Sequence, residues 1–173
     1  MRRALFALCA LMPLIAACGF EPLYAERGPR GGVVHALSGV TVAPIPDRVG
    51  QLVHNRLTTG LTPSGSADDV THRLEIELDS SIEGFGFRAD EAITRERIRL
   101  VAHYRLIDAA SSDVVFEDVV RADTSIDLVQ SDYAIIIAEE KASARNAEQV
   151  ADLILSRLAL YFRAHDKSGA MAR

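Results

Sequence analysis

The sequence predicts an α+β fold: a two-layer sandwich in which two helices pack on one face of a four-stranded mixed sheet, in the order β-α-β-β-β-α. Two observations lead to this class. Residues 72–82 and 94–108 alternate between apolar and polar side chains, which is typical of half-buried antiparallel strands. Residues 131–164 contain no Gly or Pro and are rich in Ala, Glu, Leu and Ile, a composition that favours a long helix.

The composition limits the class of protein. A chain of 173 residues has the length of one ordinary domain, and with 49% hydrophobic residues it can bury a sizeable core. The formal net charge of −5 argues against nucleic-acid binding through bulk electrostatics. The two cysteines, Cys9 and Cys18, are too few for a zinc ribbon or a disulfide framework. We therefore expect a slightly acidic single-domain protein with no nucleic-acid partner.

Residues 1–17 have the layout of a secretory signal peptide. Arg2 and Arg3 provide a positive start, residues 4–15 are apolar apart from Pro13, and small residues follow. The apolar run is shorter than the roughly 20 residues needed to cross a membrane. Residues 15–18, Ile-Ala-Ala-Cys, resemble the bacterial lipobox, in which the cysteine thiol accepts a diacylglycerol.

Cys18 is accordingly the predicted lipidation site, at the start of a lipidated anchor and tether over residues 18–32. A diacylglycerol and an N-acyl chain of the palmitate type give stable anchoring, and we expect no other cofactor. The alternative is an ordinary signal peptide, cut at Ala17, with a chance cysteine behind it. Because Gly19 rather than Asp follows the cysteine, lipoprotein sorting favours the cell outer membrane, on its periplasmic side.

The single α+β domain is predicted over residues 33–165. The β-branched stretch Val33–Ala43 suits a first strand, which Pro44 and Pro46 end. A first helix is predicted over residues 47–60, because apolar side chains recur there at three- and four-residue spacing.

Three strands and the long helix complete the domain. The strands are predicted at residues 72–82, 94–108 and 114–124, and their short connections make them a meander. The helix runs from Ser131 to about Ala164, and a flexible tail follows over residues 166–173. The helix stripe that faces the sheet is predicted to contain Ile136, Ala144, Ala147, Val150 or Ala151, Ile154, Leu158 and Tyr161. Its outer side is predicted to carry Glu139, Glu140, Lys141, Arg145 and Glu148.

No enzymatic chemistry is predicted. The histidines, at positions 35, 54, 72, 103 and 165, lack the spacing of metal ligands, and no G-x-S-x-G nucleophile elbow is present. Acylation of Cys18 would leave the mature chain without a free thiol. Residues 84–89 match G-x-G-x-x-A, but a strand rather than a helix follows them. A glycine-bearing hairpin connection is therefore the better interpretation.

Basic residues on the outer face of the third strand form the best candidate site. They are Arg95, Arg97, Arg99, His103 and Arg105. Arginine binds phosphate groups in a bidentate way, so Arg95, Arg97, Arg99 and Arg105 are candidate ligands for a phosphorylated, acylated molecule. The alternative is a solvated face whose charge is balanced by carboxylates on the neighbouring strands: Glu75, Glu77, Glu117 and Asp123.

Two aromatic residues, Phe85 and Phe87, lie in the connection between the second and third strands. At the tip of a loop they would offer an exposed apolar contact, because loop tips carry function more often than cores do. The alternative is that both rings fold back over the edge of the core.

The segment Cys18–Tyr24, C-G-F-E-P-L-Y, resembles the mature start of the LptE family of lipopolysaccharide-assembly lipoproteins. More diffuse likeness extends through Ser38–Val40, Ile45–Gln51, Thr94–Arg95, Tyr104–Asp108, Ser131–Ala134, Ala138–Glu139 and Ala144–Arg145. The family fold, two helices on a four-stranded sheet, agrees with the element order predicted above.

The resemblance implies a binding and structural subunit rather than an enzyme. Members of the family sit inside the outer-membrane barrel LptD as a plug and assembly aid, and they bind lipopolysaccharide. The arginines would then meet lipopolysaccharide phosphates, and Phe85 and Phe87 would contact the barrel wall or acyl chains; Arg95 alone matches a family binding position. The alternative is an auxiliary lipoprotein of a phospholipid-trafficking transporter. An envelope hydrolase is disfavoured by the missing motifs.

Overall fold

A computed structural model describes residues 32–62, 69–87 and 93–171. The predicted signal peptide, Cys18 and the segment Cys18–Tyr24 lie outside these residues. In chain order the elements are α1 (Gly32–Ser38), β1 (Val40–Val42), α2 (Asp47–Leu61), β2 (His72–Phe87), β3 (Ile93–Asp108), β4 (Val114–Asp127) and α3 (Asp132–Met171).

The four strands form one mixed sheet in the order β1-β2-β3-β4. β1 runs parallel to β2, with α2 as the connection between them, and β2, β3 and β4 pair antiparallel as the predicted meander. The even-numbered residues of β3, such as Leu100, Ala102 and Tyr104, are buried under the helices. The α+β class and the sandwich architecture are therefore confirmed, with one short additional helix in front of β1.

The prediction of a strand over Val33–Ala43 is wrong for most of that segment. Residues 32–38 form α1, which buries Val33 and Leu37, one turn apart, against the rest of the core. Only Val40–Val42 are in a strand. The β-branched residues favoured a strand, but burial of the i, i+4 pair outweighs a propensity that depends strongly on context.

Several elements are longer than the sequence predicts. β2 continues through Gly84 to Phe87, so the prediction that Phe85 and Phe87 lie in the connection between the strands is wrong: both are residues of β2. β4 continues to Asp127, and α3 continues to Met171. Most of the segment assigned to the tail is therefore helical.

The core lies between the sheet and the two longer helices. The buried residues of α3 include five that the predicted stripe contains: Ala147, Val150, Ala151, Ile154 and Leu158. Ile136, at the start of that stripe, is 55% exposed, so the stripe begins later than predicted. Gly60 on α2 lets the helices approach closely, because a Cβ atom there would lie 2.3 Å from Cδ1 of Leu155.

One polar residue, Asn146, is fully buried between α3 and the sheet. Its Nδ2 donates to the carbonyl oxygen of Ile98 at 2.9 Å, and its Oδ1 accepts from the Thr124 hydroxyl at 2.7 Å. The bond to Ile98 is buried and the bond from Thr124 is partly buried, and together they join α3 to β3 and β4. Asn146 therefore fixes the position of α3 along the sheet as well as stabilising it.

We predict that Asn146→Ala lowers the free energy of unfolding by about 2 kcal/mol, because the buried Ile98 carbonyl loses its donor, the half-buried Thr124 hydroxyl loses its acceptor and the site loses volume. Urea unfolding followed by circular dichroism measures the change. Thr59→Ala, which removes an exposed hydroxyl that bonds within α2, is the matched control and should cost much less. Equal effects of the two variants would contradict the importance of the buried bridge.

Candidate functional site

The outer face of the sheet, opposite the helices, carries all four arginines singled out in the sequence. Arg95, Arg97, Arg99 and Arg105 lie on β3, with β2 on one side and β4 on the other. Side chains alternate along a strand, so the odd-numbered residues of β3 face outward when the even-numbered ones are buried. The central strand of the outer face is therefore basic.

Carboxylates on both neighbouring strands pair with this basic row. The ion pairs are Arg95 Nε to Asp127 Oδ1 at 2.6 Å, Arg99 Nε to Asp123 Oδ1 at 2.8 Å, Arg99 Nη1 to Glu83 Oε1 at 3.1 Å, and Arg105 Nη2 to Glu75 Oε2 at 3.0 Å. The hydrogen bond to Asp123 and the negative charge of Glu83 raise the pKa of Arg99 above its ordinary value. Of the balancing acids expected from the sequence, Glu75 and Asp123 are the ones that pair with these arginines.

Arg97 differs from the other arginines of this face. Its guanidinium carbon lies 4.9 Å from the centre of the Phe85 ring, a cation–π contact. Among the described residues, no carboxylate lies within 4.0 Å of it. Arg97 and half-buried Phe85 therefore place a cation beside an apolar ring, the combination that a phosphorylated and acylated ligand needs. The side chain of Phe87 lies outside the described residues.

The opposite end of the outer face is acidic. A groove of about 620 Å³ lies there, and Arg105 and His103 line it together with Glu75, Glu77, Glu117 and Asp118. An anionic ligand is repelled by this end of the face, whereas at the other end Arg97 keeps a positive charge with no carboxylate within 4.0 Å among the described residues. Arg105 is therefore the least suitable of the four candidate phosphate ligands.

Two carboxyl groups that were not predicted from the sequence, those of Glu96 and Glu139, lie between the sheet and α3. Glu96 belongs to the even-numbered, inward-facing residues of β3, and its Oε2 is buried without a hydrogen-bond partner among the described residues. Burial and the negative charge of Glu139 raise the pKa of Glu96. The assignment of Glu139 to the outer side of the helix was wrong, because Ala138 and Ala142 turn this part of α3 toward β3. The sequence did hold a signal for Glu96: in the alternating pattern of the third strand it occupies an even-numbered position, and the even-numbered positions face inward.

We predict that Glu96 makes the fold less stable as the pH rises. Its pKa is higher in the folded chain than the ordinary value of 4.5, so the folded chain binds the proton more tightly. The stabilisation is complete below the ordinary pKa and is lost as the pH rises through the raised pKa. Glu96→Gln should therefore gain stability relative to the wild type between pH 4.5 and neutrality, measured by urea unfolding.

Glu117→Gln is the control for this prediction, because Glu117 is exposed and has no ion-pair partner among the described residues. The gain from Glu96→Gln should exceed the change caused by removing this surface carboxylate. The interpretation fails if the difference between Glu96→Gln and the wild type does not change with pH.

Two further observations concern residues 32–62, 69–87 and 93–171 only. No helix in this part of the chain is both long enough and apolar enough to cross a membrane. No group of three or more His, Cys, Asp or Glu residues in these ranges is arranged to hold a metal ion.

Comparison with solved structures identifies the fold. It is similar to a lipoprotein candidate of Caulobacter crescentus CB15, with a TM-score of 0.61 and 22% identity, over 77% of this chain and 97% of that one. It is also similar to the minor lipoprotein of Acinetobacter baumannii, with a TM-score of 0.56 and 14% identity over 70% and 89% of the two chains. Rare lipoprotein B of Shewanella oneidensis gives a TM-score of 0.54 and 12% identity over 70% and 92%.

Sequence comparison identifies the family. The uncharacterized protein RP188 of Rickettsia prowazekii (strain Madrid E) is 30% identical over 155 residues, which are 90% of this chain and 95% of that protein. Residues 37–158 match the model of the family described as LptE, lipopolysaccharide-assembly. This match covers more than half of the sequence, from α1 through most of α3, and the chain therefore belongs to the LptE family.

Proposed function

We propose that this protein is a lipid-anchored outer-membrane subunit that sits in an LptD-type β-barrel as plug and assembly partner and binds lipopolysaccharide on its way to the outer leaflet. The match to the LptE family over residues 37–158 is the observation that carries the proposal. It covers most of the folded part, so it concerns the body of the protein rather than a short motif. The proposed activity is binding, without catalysis.

The sequence before the folded body supports the membrane location. Residues 15–18 have the order of a lipobox, and Gly19 follows the cysteine that would be acylated. The structural relatives from Acinetobacter baumannii and Shewanella oneidensis are described as lipoproteins. A diacylglycerol with an added N-acyl chain would hold the protein stably at a bilayer, whereas one chain alone gives marginal binding.

The outer face of the sheet supports contact with lipopolysaccharide through its basic end. Arg97 has the fewest competing carboxylates, and Phe85 beside it provides an apolar surface. A lipid A phosphate would accept hydrogen bonds from the guanidinium while an acyl chain contacts the ring. Arg95 and Arg99 would strengthen the positive potential there, although each must share its charge with a neighbouring carboxylate.

Affinity purification of the full-length protein from its native membrane in mild detergent tests the proposal. A stoichiometric complex with one large β-barrel is the expected result. The matched control is Cys18→Ala, which should accumulate as an uncleaved precursor and recover little barrel. Recovery of an inner-membrane transporter without any barrel would replace this proposal with phospholipid trafficking. Normal processing and acyl labelling of Cys18→Ala would show that Cys18 is not the lipidation site, and the lipid anchor would no longer be part of the proposal.

We predict that Arg97→Gln weakens binding of lipopolysaccharide to the purified full-length protein about tenfold, because a charge-assisted hydrogen bond to phosphate is lost. Titration calorimetry or quenching of a labelled lipopolysaccharide measures the affinity.

Arg121→Gln is the control, since Arg121 lies on the outer face of β4, away from Phe85, and also has no carboxylate within 4.0 Å among the described residues. It should bind within about twofold of the wild type. Equal weakening in both variants would mean that general charge, rather than the Arg97–Phe85 site, controls binding.

A further inference from the structure

We infer that the open edge of β2, from Ile76 to Gly84, is a docking site for an extended segment of another protein that carries alternating apolar and basic side chains. The segment would add to the sheet as a fifth strand. This inference goes beyond the proposed function, because it rests on the backbone and charges of β2 and requires neither the barrel nor lipopolysaccharide.

Within the described part of the chain, this edge is open because β1 is short. The pairing of β1 with β2 ends at Val42 and Leu74, and the last bond is from the Ala43 N–H to the Leu74 carbonyl oxygen, 2.9 Å. Pro44 and Pro46 follow and have no N–H to continue the ladder. β2 runs on to Phe87, and no other described element hydrogen-bonds to its free side.

The Leu74 carbonyl also shows which backbone groups point to this side. In an antiparallel pair, the N–H and C=O of one residue point to the same side of the strand, and successive residues alternate. The backbone groups of Leu74 point away from β3. The same therefore holds for the backbone groups of the other even-numbered residues of β2 up to Gly84: Ile76, Leu78, Ser80, Ile82 and Gly84. Their unpaired donors and acceptors extend over about 30 Å of strand.

The inner face beside this edge is apolar and poorly covered. α3 lies over β3 and β4, so Leu78 is only half-buried and Ile82 is 55% exposed. A depression of about 220 Å³ lies here, and its lining contains Ile82, Leu52 and Val49 together with the charged Arg48, Glu139 and Glu140. The inward side chains of an added strand would enter this depression, and burial of Ile82 would favour apolar ones.

The outer face beside the edge is acidic. Glu77 and Asp79 point outward next to the unpaired backbone, and neither has an ion-pair partner among the described residues. Basic side chains on the outer face of an added strand would lie directly across from them. A second copy of β2 would instead bring like charges together, which disfavours self-association through this edge.

The other sheet edge, β4, lacks these features. The Leu128 N–H donates to the Thr94 carbonyl oxygen. The backbone N–H and C=O groups of even-numbered β4 residues therefore point to β3, and those of odd-numbered residues point to the free edge. These odd-numbered residues include the charged Glu117, Arg121, Asp123 and Asp127. The N–H of Val119 at this edge is occupied by the Asp118 carboxylate at 2.8 Å. Charges and an occupied donor are protections that natural sheet edges use against strand pairing.

A capped nine-residue peptide of alternating lysine and valine is the probe. Its binding to the full-length protein in nonionic detergent is measured by fluorescence anisotropy, and the bound segment is located by hydrogen exchange. We expect saturable binding and slower exchange confined to residues 76–84 of β2. Asp79→Lys should weaken binding about tenfold, and Glu117→Lys, an equal charge change on β4, should leave it within about twofold.

Ser80→Pro separates strand addition from charge attraction. The Ser80 N–H faces the open side, so proline there removes no bond to β3 and the variant should keep its circular dichroism spectrum. It should nevertheless lose at least as much affinity as Asp79→Lys. A probe that is N-methylated at alternate residues should not bind, because it cannot complete the ladder.

Four results would overturn the inference: no saturable binding, equal binding of the methylated probe, slower exchange at β4 instead of β2, or wild-type affinity in Asp79→Lys. Formation of a dimer in sedimentation, abolished by Ser80→Pro, would assign the edge to a second copy of the chain and would also overturn it. None of these results depends on whether a barrel co-purifies, so failure here is distinct from failure of the proposed function.

Discussion

Antiparallel pairing of β2, β3 and β4 assigns each of their side chains to one of two faces, because successive residues of a strand point in opposite directions. The even-numbered residues of β3 form the floor of the core, and the odd-numbered ones form the basic row of the outer face. A register shift of one residue would bury the arginines and expose Leu100 and Tyr104. The core, the ion pairs and the open edge of β2 therefore depend on this one register.

The same register determines how much positive charge a ligand meets. It places Asp123 and Asp127 beside Arg99 and Arg95, so much of the charge of the basic row is used within the sheet. Exposed ion pairs of this kind add little stability, about 0–1 kcal/mol each. Their effect is to make the charge of the outer face uneven. Arg97 lies beside Phe85 at one end, and carboxylates form most of the charged lining of the groove at the other end. Recognition of an anionic lipid depends on that unevenness more than on the number of arginines.

The sequence predicted those features that depend on local pattern. Alternation located three strands and put the arginines on one face, the spacing of apolar residues located α2, and composition located α3. The local pattern did not predict α1, because seven residues are too few to distinguish a helical from an extended periodicity. It also placed Glu139 on the wrong side of α3, since the rotation of a helix depends on the sheet it packs against. To predict the partner of each arginine, the register between the strands must be known, and side-chain alternation alone does not specify it. Phe85 was singled out in the sequence as a loop residue, but it lies in β2, and its contact with Arg97 was not predicted.

Residue-resolved amide hydrogen exchange of the full-length protein by NMR tests the register most directly. Odd-numbered amides of β2, such as those of Glu77 and Asp79, should exchange slowly because they bond to β3. Even-numbered amides, such as those of Leu78 and Ser80, should exchange quickly because they face the open edge. This alternation along one strand is the expected result. Protection of the even-numbered amides with fast exchange of the odd-numbered ones would contradict the register and with it the assignment of both faces. Uniform protection of residues 76–84 would contradict the open edge of β2.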